Sequence, residues 1–272
     1  MSERSIDTGT NQLLCAVRDG VATITLNRPE ARNTMSAELT PALRTMVKAM
    51  GEDAEVGALV ITGAGTAFCA GGDVKGMGAN RVQTMTPDER VVDLKWRQRA
   101  LTGALLQVRK PTIAALPGPA VGAGLAIALA CDIRIAAKSA FLGTGYAKVA
   151  LPGDYGIAWL LSRLVGTARA REYMFTGARL DIDLCERVGL VNRVVPDEAL
   201  RESAFAMARD IAAGPRIAIA RMKDNLDFAG HSDYFAAADR EAEAMIATAQ
   251  TEDHKEAVRA FVEKRAPVFV GR

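Results

Sequence analysis

The sequence predicts an α/β fold in which a mainly parallel sheet is followed by a helical C-terminal part. Three short, predominantly apolar runs, residues 58–62, 112–116 and 133–137, are typical of strands that are buried on both faces. Helical patterns near residues 87–108 and 121–131 separate these runs, and such alternation favours right-handed crossovers between parallel strands. From about residue 158 onward the pattern is almost wholly helical.

The chain begins with a polar stretch, residues 1–11, which has no apolar core of the kind found in secretory signals. We expect these residues to form a disordered tail. Residues 13–17 and 21–26 then flank Asp19-Gly20, a dipeptide suited to the positive φ angles of a tight turn. The two runs are therefore predicted to form a β-hairpin.

An amphipathic helix is predicted after the hairpin. Ser36 is a residue type that caps helices, and the apolar residues after it fall on one face of a helix that ends before Gly51, namely Leu39, Leu43, Met46, Val47 and Met50. In the C-terminal third, further helices are predicted near residues 168–175, 198–213, 215–228, 232–249 and 251–264.

The composition is ordinary for a globular protein, with 49% hydrophobic and 24% charged residues in a chain of 272. A chain of this length can bury a full core, so one large domain or one domain with a small appendage is expected. The 34 basic and 32 acidic residues are interspersed and give a net charge of +2. We therefore expect no nucleic-acid partner, and an anionic ligand would have to be bound by local groups.

Cysteine spacing and one uncharged stretch indicate which cellular compartment to expect for the protein. Four widely spaced cysteines without a CxxC pair argue against a zinc site and a disulfide framework, so we expect free buried thiols, no metal and a cytoplasmic protein. Residues 111–131 carry no charge and are long enough to span a bilayer. However, Pro117 and Pro119 would interrupt a spanning helix, so we expect a buried strand, a turn and a buried helix, with no membrane partner.

Two patches of small residues, 68–73 and 118–124, each follow an apolar run. Glycine and alanine let backbone N–H groups approach a ligand oxygen closely, and a helix that starts at the second patch adds its own unpaired N–H groups. Two converging donors are what an enzyme needs to stabilise the oxyanion or enolate formed from an ester or thioester. The alternative is that each patch is an ordinary tight turn.

Other enzyme classes find little support. The chain has no GxSxG motif. Its two histidines, His231 and His254, both lie in the helical C-terminal part, so the sequence offers few histidines for a Ser-His-Asp triad. Residues 63–65 lack the third glycine of a dinucleotide-binding motif, and GxxxxGK[ST] is absent. Hydride transfer and phosphoryl transfer are therefore set aside.

The chain resembles the crotonase (enoyl-CoA hydratase/isomerase) superfamily from about residue 21 to residue 269. The resemblance is carried by segments in a specific order and spacing, which are residues 26–29 (LNRP), 31–33 (ARN), 60–63 (VITG), 68–75 (FCAGGDVK), 131–134 (CDIR), 189–192 (GLVN) and 260–265 (AFVEKR).

This resemblance implies a crotonase-like spiral of ββα units and an acyl-CoA substrate. It also implies a homo-oligomer, a trimer or hexamer, in which the helical C-terminal region mediates trimerisation. The chain then divides into a tail (1–11), a spiral core (12–200) and a C-terminal oligomerisation region (201–272). No separate cofactor is expected, because coenzyme A is part of the substrate.

The resemblance also implies site residues. The backbone N–H groups of Gly72 and Ala123 take the places of the oxyanion-hole donors, and alanine at position 123, where relatives usually have glycine, offers the same N–H. The positions along the path of CoA are Arg28, Ala31, Ala70, Asp73, Val74 and Lys75, with Phe261 and Lys264 where a neighbouring subunit's last helix often contacts CoA. For Arg28, Lys75 and Lys264 the alternatives are a phosphate contact or a solvated surface charge.

At the proton-transfer positions the sequence departs from the hydratases of this family. Those enzymes keep two glutamates to add water across an enoyl double bond, and the corresponding positions here hold Ala126 and Tyr146. Asp154, in the segment LPGDYG, stands where other branches, including double-bond isomerases, carry an acid/base aspartate. A single carboxylate suits double-bond isomerisation better than hydration.

Alternatives remain open at each of these positions. Asp154 is either the acid/base or a cap for the following helix, and Tyr146 is either a donor near the acyl group or an aromatic wall. Three functions follow: an enoyl-CoA isomerase that uses Asp154, a hydratase or another lyase or hydrolase of the superfamily, and a non-catalytic acyl-CoA binder.

Overall fold

The computed structural model describes residues 3–72 and 85–272. Within these residues ten strands form two sheets. The larger sheet has the order β1-β2-β3-β4-β5-β7-β10, with strands Arg4–Ile6, Leu13–Arg18, Val21–Leu26, Ala58–Gly63, Thr112–Leu116, Ile133–Ala137 and Arg193–Val195. The smaller sheet has the order β6-β8-β9, with strands Ala120–Val121, Phe141–Gly143 and Arg179–Asp181.

The predicted hairpin is present, but the predicted tail is partly wrong. Strands β2 and β3 pair antiparallel, and the turn between them has positive φ angles at Asp19 (50°) and Gly20 (75°), as the dipeptide predicted. Residues 4–6 are not a disordered tail, because they form β1, which pairs antiparallel with β2. Arg4 also pairs with Asp53 at 2.7 Å, and this contact helps to fix the strand.

The parallel core of the sheet matches the prediction. Strands β3, β4, β5, β7 and β10 pair in parallel in that order, with Leu59 opposite Thr112 and Ile113 opposite Ile133. Strand β4 is buried along its whole length, as expected for a strand covered on both faces. Strands β9 and β10 lie in the part of the chain that was predicted to be almost wholly helical. The sequence did not predict them, because each is only three residues long and lies between helices.

The helices are Leu39–Glu52 (α1), Pro87–Gln98 (α2), Ala104–Gln107 (α3), Ala123–Ala130 (α4), Ile157–Thr176 (α5), Ile182–Arg187 (α6), Leu200–Ala212 (α7), Arg216–Ala229 (α8), Tyr234–Thr248 (α9) and Glu252–Glu263 (α10). Ser36 contributes to the start of α1, because its hydroxyl accepts the N–H of Leu39 at 3.0 Å. The helix predicted near residues 87–108 is interrupted by a π-helical turn at Arg99–Gly103. Helix α5 begins eleven residues before the predicted segment and bends at Gly166, where φ is 76°.

Helices cover both faces of the larger sheet. On one face α1, α4 and α5 pack into the main core with residues such as Leu43, Leu59 and Leu125. On the other face α7 places alanines against Val60 and Ile113. The first helix of the predicted C-terminal region, which begins at Leu200, therefore belongs to the packed core.

Helix α8 is fixed to the core by an ion pair whose lysine is buried. The ammonium group of Lys223 donates to Asp132 at 2.7 Å, and the same carboxylate accepts from the backbone and the hydroxyl of Thr112. These contacts give Asp132 a structural role. Many large apolar side chains on α8, α9 and α10 are exposed in the single chain, among them Leu226, Phe235, Ile246 and Phe261.

The four cysteines and the uncharged stretch behave as expected. Cys15, Cys69, Cys131 and Cys185 are all free and buried, and burial raises the pKa of Cys15 to about 11. Residues 111–131 form β5, a turn, β6 and α4. Among the described helices, none combines the length and the apolar character that crossing a bilayer would require.

Candidate active site

The two patches of small residues lie side by side in the fold. Cys69 forms a parallel bridge with Ala120, in which the N–H of Cys69 donates to the carbonyl of Pro119 at 3.1 Å. In return, the N–H of Val121 donates to the carbonyl of Cys69 at 3.0 Å. The two patches are therefore neighbours in the fold, while convergence of their N–H groups on one ligand oxygen stays a prediction.

Positive φ angles turn the backbone at this junction. Gly71 has φ of 94°, and a Cβ there would lie 2.9 Å from the carbonyl oxygen of Val121 and 3.7 Å from the amide nitrogen of Ala123. Gly122 has φ of 56° and immediately precedes α4. Ala123 is the first residue of that helix, a position whose N–H has no partner within the helix.

The predicted donors Gly72 and Ala123 belong to these two turns. Next to Gly72, the N–H of Met35 donates to the carbonyl of Gly71 at 2.9 Å, so residue 72 is anchored through its neighbour. Within the described parts of the chain, neither amide N–H donates to a protein acceptor. Two backbone donors at adjoining turns are the arrangement that an oxyanion hole needs.

The side chains of Tyr146 and Asp154 are hydrogen-bonded to each other. The Tyr146 hydroxyl donates to Oδ1 of Asp154 at 2.6 Å, and the tyrosine is only 7% exposed. A Cβ on Gly122 would lie 3.9 Å from Cζ of Tyr146, so the phenol is next to the turn that leads into Ala123. The structure thus brings together three of the four predicted catalytic positions, and Gly72 lies on the adjoining turn.

An unusual loop positions Asp154. The backbone has positive φ at Gly153 (114°), Tyr155 (51°) and Gly156 (75°), and a non-glycine residue in this region carries strain. Gly156 precedes α5, and no side chain caps that helix. The carboxylate of Asp154 accepts from Tyr146 instead, so the interpretation of Asp154 as a helix cap is wrong. Tyr146 is a hydrogen-bond donor and not only an aromatic wall.

Burial changes the acidity of both groups. Partial burial raises the pKa of Asp154, and the hydrogen bond from Tyr146 opposes this rise. Burial and the neighbouring charge of Asp154 together raise the pKa of Tyr146. The phenol therefore keeps its proton as a donor, while the carboxylate is a stronger base than an exposed aspartate.

Three of the predicted CoA-binding residues lie on neighbouring segments. Arg28 precedes the 3-10 turn Pro29–Ala31, and its guanidinium donates to the carbonyl of Thr34 at 2.8 Å. The N–H of Ala70 donates to the carbonyl of Arg32 at 3.0 Å, which joins this segment to the one that carries Gly72. Asp73, Val74 and Lys75 lie outside the described residues.

The last two predicted residues lie at the C-terminal end of the fold. Phe261 is 86% exposed on α10, and Lys264 ends that helix with φ of 55°. Around them Val258, Val262 and Val268 are also exposed. Contact of Phe261 and Lys264 with the CoA bound by a neighbouring subunit stays a prediction.

Two residues near the site were missed by the sequence reasoning. Tyr155 is buried next to Asp154, and Arg44 on α1 is 9% exposed with its guanidinium 5.1 Å from the centre of the Trp96 ring. Burial raises the pKa of Tyr155, and the nearby guanidinium of Arg44 opposes that rise. Arg44 lies beside the apolar stripe of a helix, so the hydrophobic pattern gave no signal for its burial.

Comparison with known proteins gives a consistent result over almost the whole chain. The family model for enoyl-CoA hydratase/isomerase matches residues 16–272. The chain is 33% identical to 1,2-epoxyphenylacetyl-CoA isomerase of Escherichia coli, over 96% of this chain and 98% of that protein. It is 36% identical to a probable enoyl-CoA hydratase of Mycobacterium tuberculosis, over 93% of this chain and 90% of that protein.

Solved structures are similar to the same extent. A putative enoyl-CoA hydratase/isomerase from Mycobacterium abscessus superposes with a TM-score of 0.90 at 32% identity, covering 96% of this chain and 100% of that one. An enoyl-CoA hydratase from Bacillus anthracis gives a TM-score of 0.88 at 32% identity, again over 96% and 100%.

Proposed function

The chain belongs to the enoyl-CoA hydratase/isomerase family, and we propose that within this family it moves the double bond of an enoyl-CoA thioester, with Asp154 as the acid/base. The family membership and the crotonase-like α/β fold were both predicted from the sequence, and both are confirmed by the family match and the superpositions. The proposal concerns the reaction that this chain catalyses.

The hydrogen bond between Tyr146 and Asp154 carries the proposal. Asp154 is the only carboxylate between Asp132 and Glu172, and it lies beside the turn that leads into Ala123. A single buried base can take a proton from one carbon of the substrate and return it to another. This is the requirement of an isomerase, whereas hydration needs an activated water and a second proton donor.

The reaction would proceed through a dienolate. The N–H groups of Gly72 and Ala123 would bind the thioester oxygen of a 3-enoyl-CoA and stabilise negative charge on it. The carboxylate of Asp154 would take a proton from the α carbon, and the electron pair of that C–H bond would delocalise to the thioester oxygen. The protonated Asp154 would then deliver the proton to the γ carbon, which gives the 2-enoyl product and regenerates the carboxylate.

Tyr146 would act on Asp154 rather than on the substrate. Its hydroxyl donates to Oδ1, which fixes the orientation of the carboxylate and leaves Oδ2 for the proton transfer. Because a donor stabilises the ionised form, the hydrogen bond lowers the pKa of Asp154 and opposes the rise that partial burial causes. Tyr146 and Ala126 stand where the resemblance places the two glutamates of the hydratases, which leaves Asp154 as the carboxylate that the described part of the site offers for chemistry.

The remaining predicted residues would bind coenzyme A. Arg28 and Lys75 would meet phosphates, and the backbone around Ala31, Ala70, Asp73 and Val74 would follow the pantetheine and adenine. Phe261 and Lys264 would reach CoA from a neighbouring subunit of a trimer or hexamer, and the exposed apolar side chains of α8 to α10 support such an assembly. The reaction needs no cofactor beyond the CoA that the substrate carries.

Incubation with 2-enoyl-CoA and 3-enoyl-CoA in deuterated water distinguishes the candidate functions. Conversion of the 3-enoyl to the conjugated 2-enoyl thioester, with deuterium at the exchanged carbons and no added water, would support the isomerase. Formation of a 3-hydroxyacyl-CoA would support a hydratase instead. Tight binding without conversion or exchange would support a non-catalytic acyl-CoA binder.

A further inference from the structure

Among the residues that the structure describes, Arg44 is a buried cation without an anionic partner. It lies on α1 with 9% of its surface exposed, and its Nε atom is fully buried without a hydrogen-bond acceptor. Removing a charged group from water costs free energy unless another group compensates the charge. No carboxylate pairs with Arg44 anywhere in residues 3–72 and 85–272.

Two aromatic side chains adjoin the guanidinium of Arg44. The centre of the Trp96 ring lies 5.1 Å from the guanidinium carbon, and the phenol of Tyr155 interacts with the same guanidinium. The other nearby cation, Arg97, is already compensated by Asp93 at 2.7 Å. Within the described residues, the cluster therefore contains one positive charge that no carboxylate compensates, one aromatic face and one further hydroxyl.

This cluster lies next to the proposed catalytic base. Tyr155 follows Asp154 directly in the chain, and its buried side chain leads from the loop that carries the carboxylate towards Arg44. The guanidinium is thus separated from Asp154 by one tyrosine side chain.

Resting on the proposed function, we propose that Arg44 binds a carboxylate at the far end of the acyl group. The favoured substrates are then acyl-CoA thioesters whose acyl chain ends in a carboxylate. A guanidinium presents parallel N–H donors that match the two oxygens of a carboxylate, and its charge stabilises the bound anion strongly in a partly buried site. Trp96 and Tyr155 would form the walls around that end of the chain.

Binding of saturated acyl-CoA thioesters tests this proposal apart from catalysis, because these compounds have no double bond to move. Titration calorimetry would compare adipoyl-CoA with hexanoyl-CoA, and succinyl-, glutaryl- and suberoyl-CoA with their methyl-ended equivalents of the same length. We expect the wild-type protein to prefer at least one dicarboxylic member by about tenfold or more, the range of a charge-assisted hydrogen bond.

Variants test whether Arg44 causes the preference for the dicarboxylic thioester. Arg44→Met should reduce the preference to about twofold or less, and Arg44→Lys should retain part of the preference. Arg97→Met removes the nearby cation that Asp93 compensates, and it should leave the preference unchanged. Equal affinity for both members of every pair in the wild-type protein would overturn the proposal. The same conclusion follows if Arg44→Met weakens both members equally, because Arg44 would then act only by holding Tyr155.

The outcome is independent of the reaction assignment. If the carboxylate preference holds but 3-enoyl-CoA is not isomerised, the proposed function fails and the role of Arg44 stands. If 3-enoyl-CoA is isomerised but the carboxylate preference is absent, the proposed function stands and the role of Arg44 fails.

Discussion

Gly124 lies directly against the carbonyl group of Cys69, with no room between them for a Cβ atom. This contact joins the first turn of α4 to the segment that leads to Gly71 and Gly72. The two backbone amides assigned to the oxyanion hole are therefore held in relation to each other by a contact between a glycine and a carbonyl. Any side chain at position 124 would have to push the segments apart.

We expect Gly124→Ala to lose activity and stability together. The added methyl group would separate the turns that carry Gly72 and Ala123, and overpacking of this kind costs about 3 kcal/mol. Urea denaturation would measure the free energy of unfolding, and turnover of the enoyl-CoA substrate would report the site. Gly103→Ala is the matched control, since a Cβ there would lie 3.6 Å from its nearest neighbour and φ is −61°.

A Tyr146→Phe variant should shift the pH dependence of the reaction. The hydrogen bond from Tyr146 lowers the pKa of Asp154, so its removal raises that pKa further. Because the ionised carboxylate is the base, activity is lost as the pH falls through this pKa, and the acidic limb of kcat/KM should move to higher pH. Tyr173→Phe removes another buried phenol and should leave the limb in place. An unmoved limb in Tyr146→Phe would show that the two side chains are not coupled.

Asp154→Asn should make the protein more stable at neutral pH. Burial raises the pKa of Asp154 in the folded state above its value in the unfolded chain, about 3.9. Its contribution to stability is therefore complete below that unfolded pKa and is lost as the pH rises through the folded pKa. Asparagine avoids this loss and still accepts the hydrogen bond from Tyr146.

Thermal denaturation of wild type and Asp154→Asn between pH 3.5 and 8 measures this effect. The variant should have the higher Tm at pH 7, and the difference should shrink as the pH falls towards 4. If the wild-type protein is as stable as Asp154→Asn at pH 7, or more stable, then its surroundings do not destabilise the ionised carboxylate of Asp154.

Loss of the Lys223 ammonium should weaken the attachment of α8. We expect Lys223→Met to cost about 2 kcal/mol of unfolding free energy, less than for a fully buried pair because Thr112 still donates to Asp132. Lys138→Met removes an exposed pair with Asp183 and should change the unfolding free energy much less, because solvent screens such pairs. Urea titrations of both variants compare the two costs, and equal values would contradict a structural role for Lys223.

The sequence predicted those parts of the fold in which local pattern and burial agree. The runs that became β4, β5 and β7 are apolar because the sheet covers both faces, and Asp19-Gly20 predicted its turn because few other dipeptides adopt those φ angles. The strand Arg4–Ile6 was missed because its polar residues form an edge strand, which has one exposed side.

The sequence predicted the backbone part of the candidate site and named Tyr146 and Asp154, but it did not predict the hydrogen bond between them. The glycines of the two converging turns are visible in the sequence because only small residues permit such close approach. The hydrogen bond from Tyr146 to Asp154 depends on a loop with positive φ at Tyr155. Sequence patterns do not predict positive φ for a tyrosine. The burial of Arg44 likewise depends on α2, which packs Trp96 against it.

Conversion of 3-enoyl-CoA to 2-enoyl-CoA by wild type, Asp154→Asn and Asp210→Asn tests the central claim most directly. Asp210 is an exposed aspartate on α7, so its variant controls for the loss of one negative charge. We expect the rate of Asp154→Asn to fall by about a thousandfold, within the range for loss of a general acid/base, and Asp210→Asn to match the wild type. A rate for Asp154→Asn within about twofold of the wild type would contradict the assignment of proton transfer to Asp154.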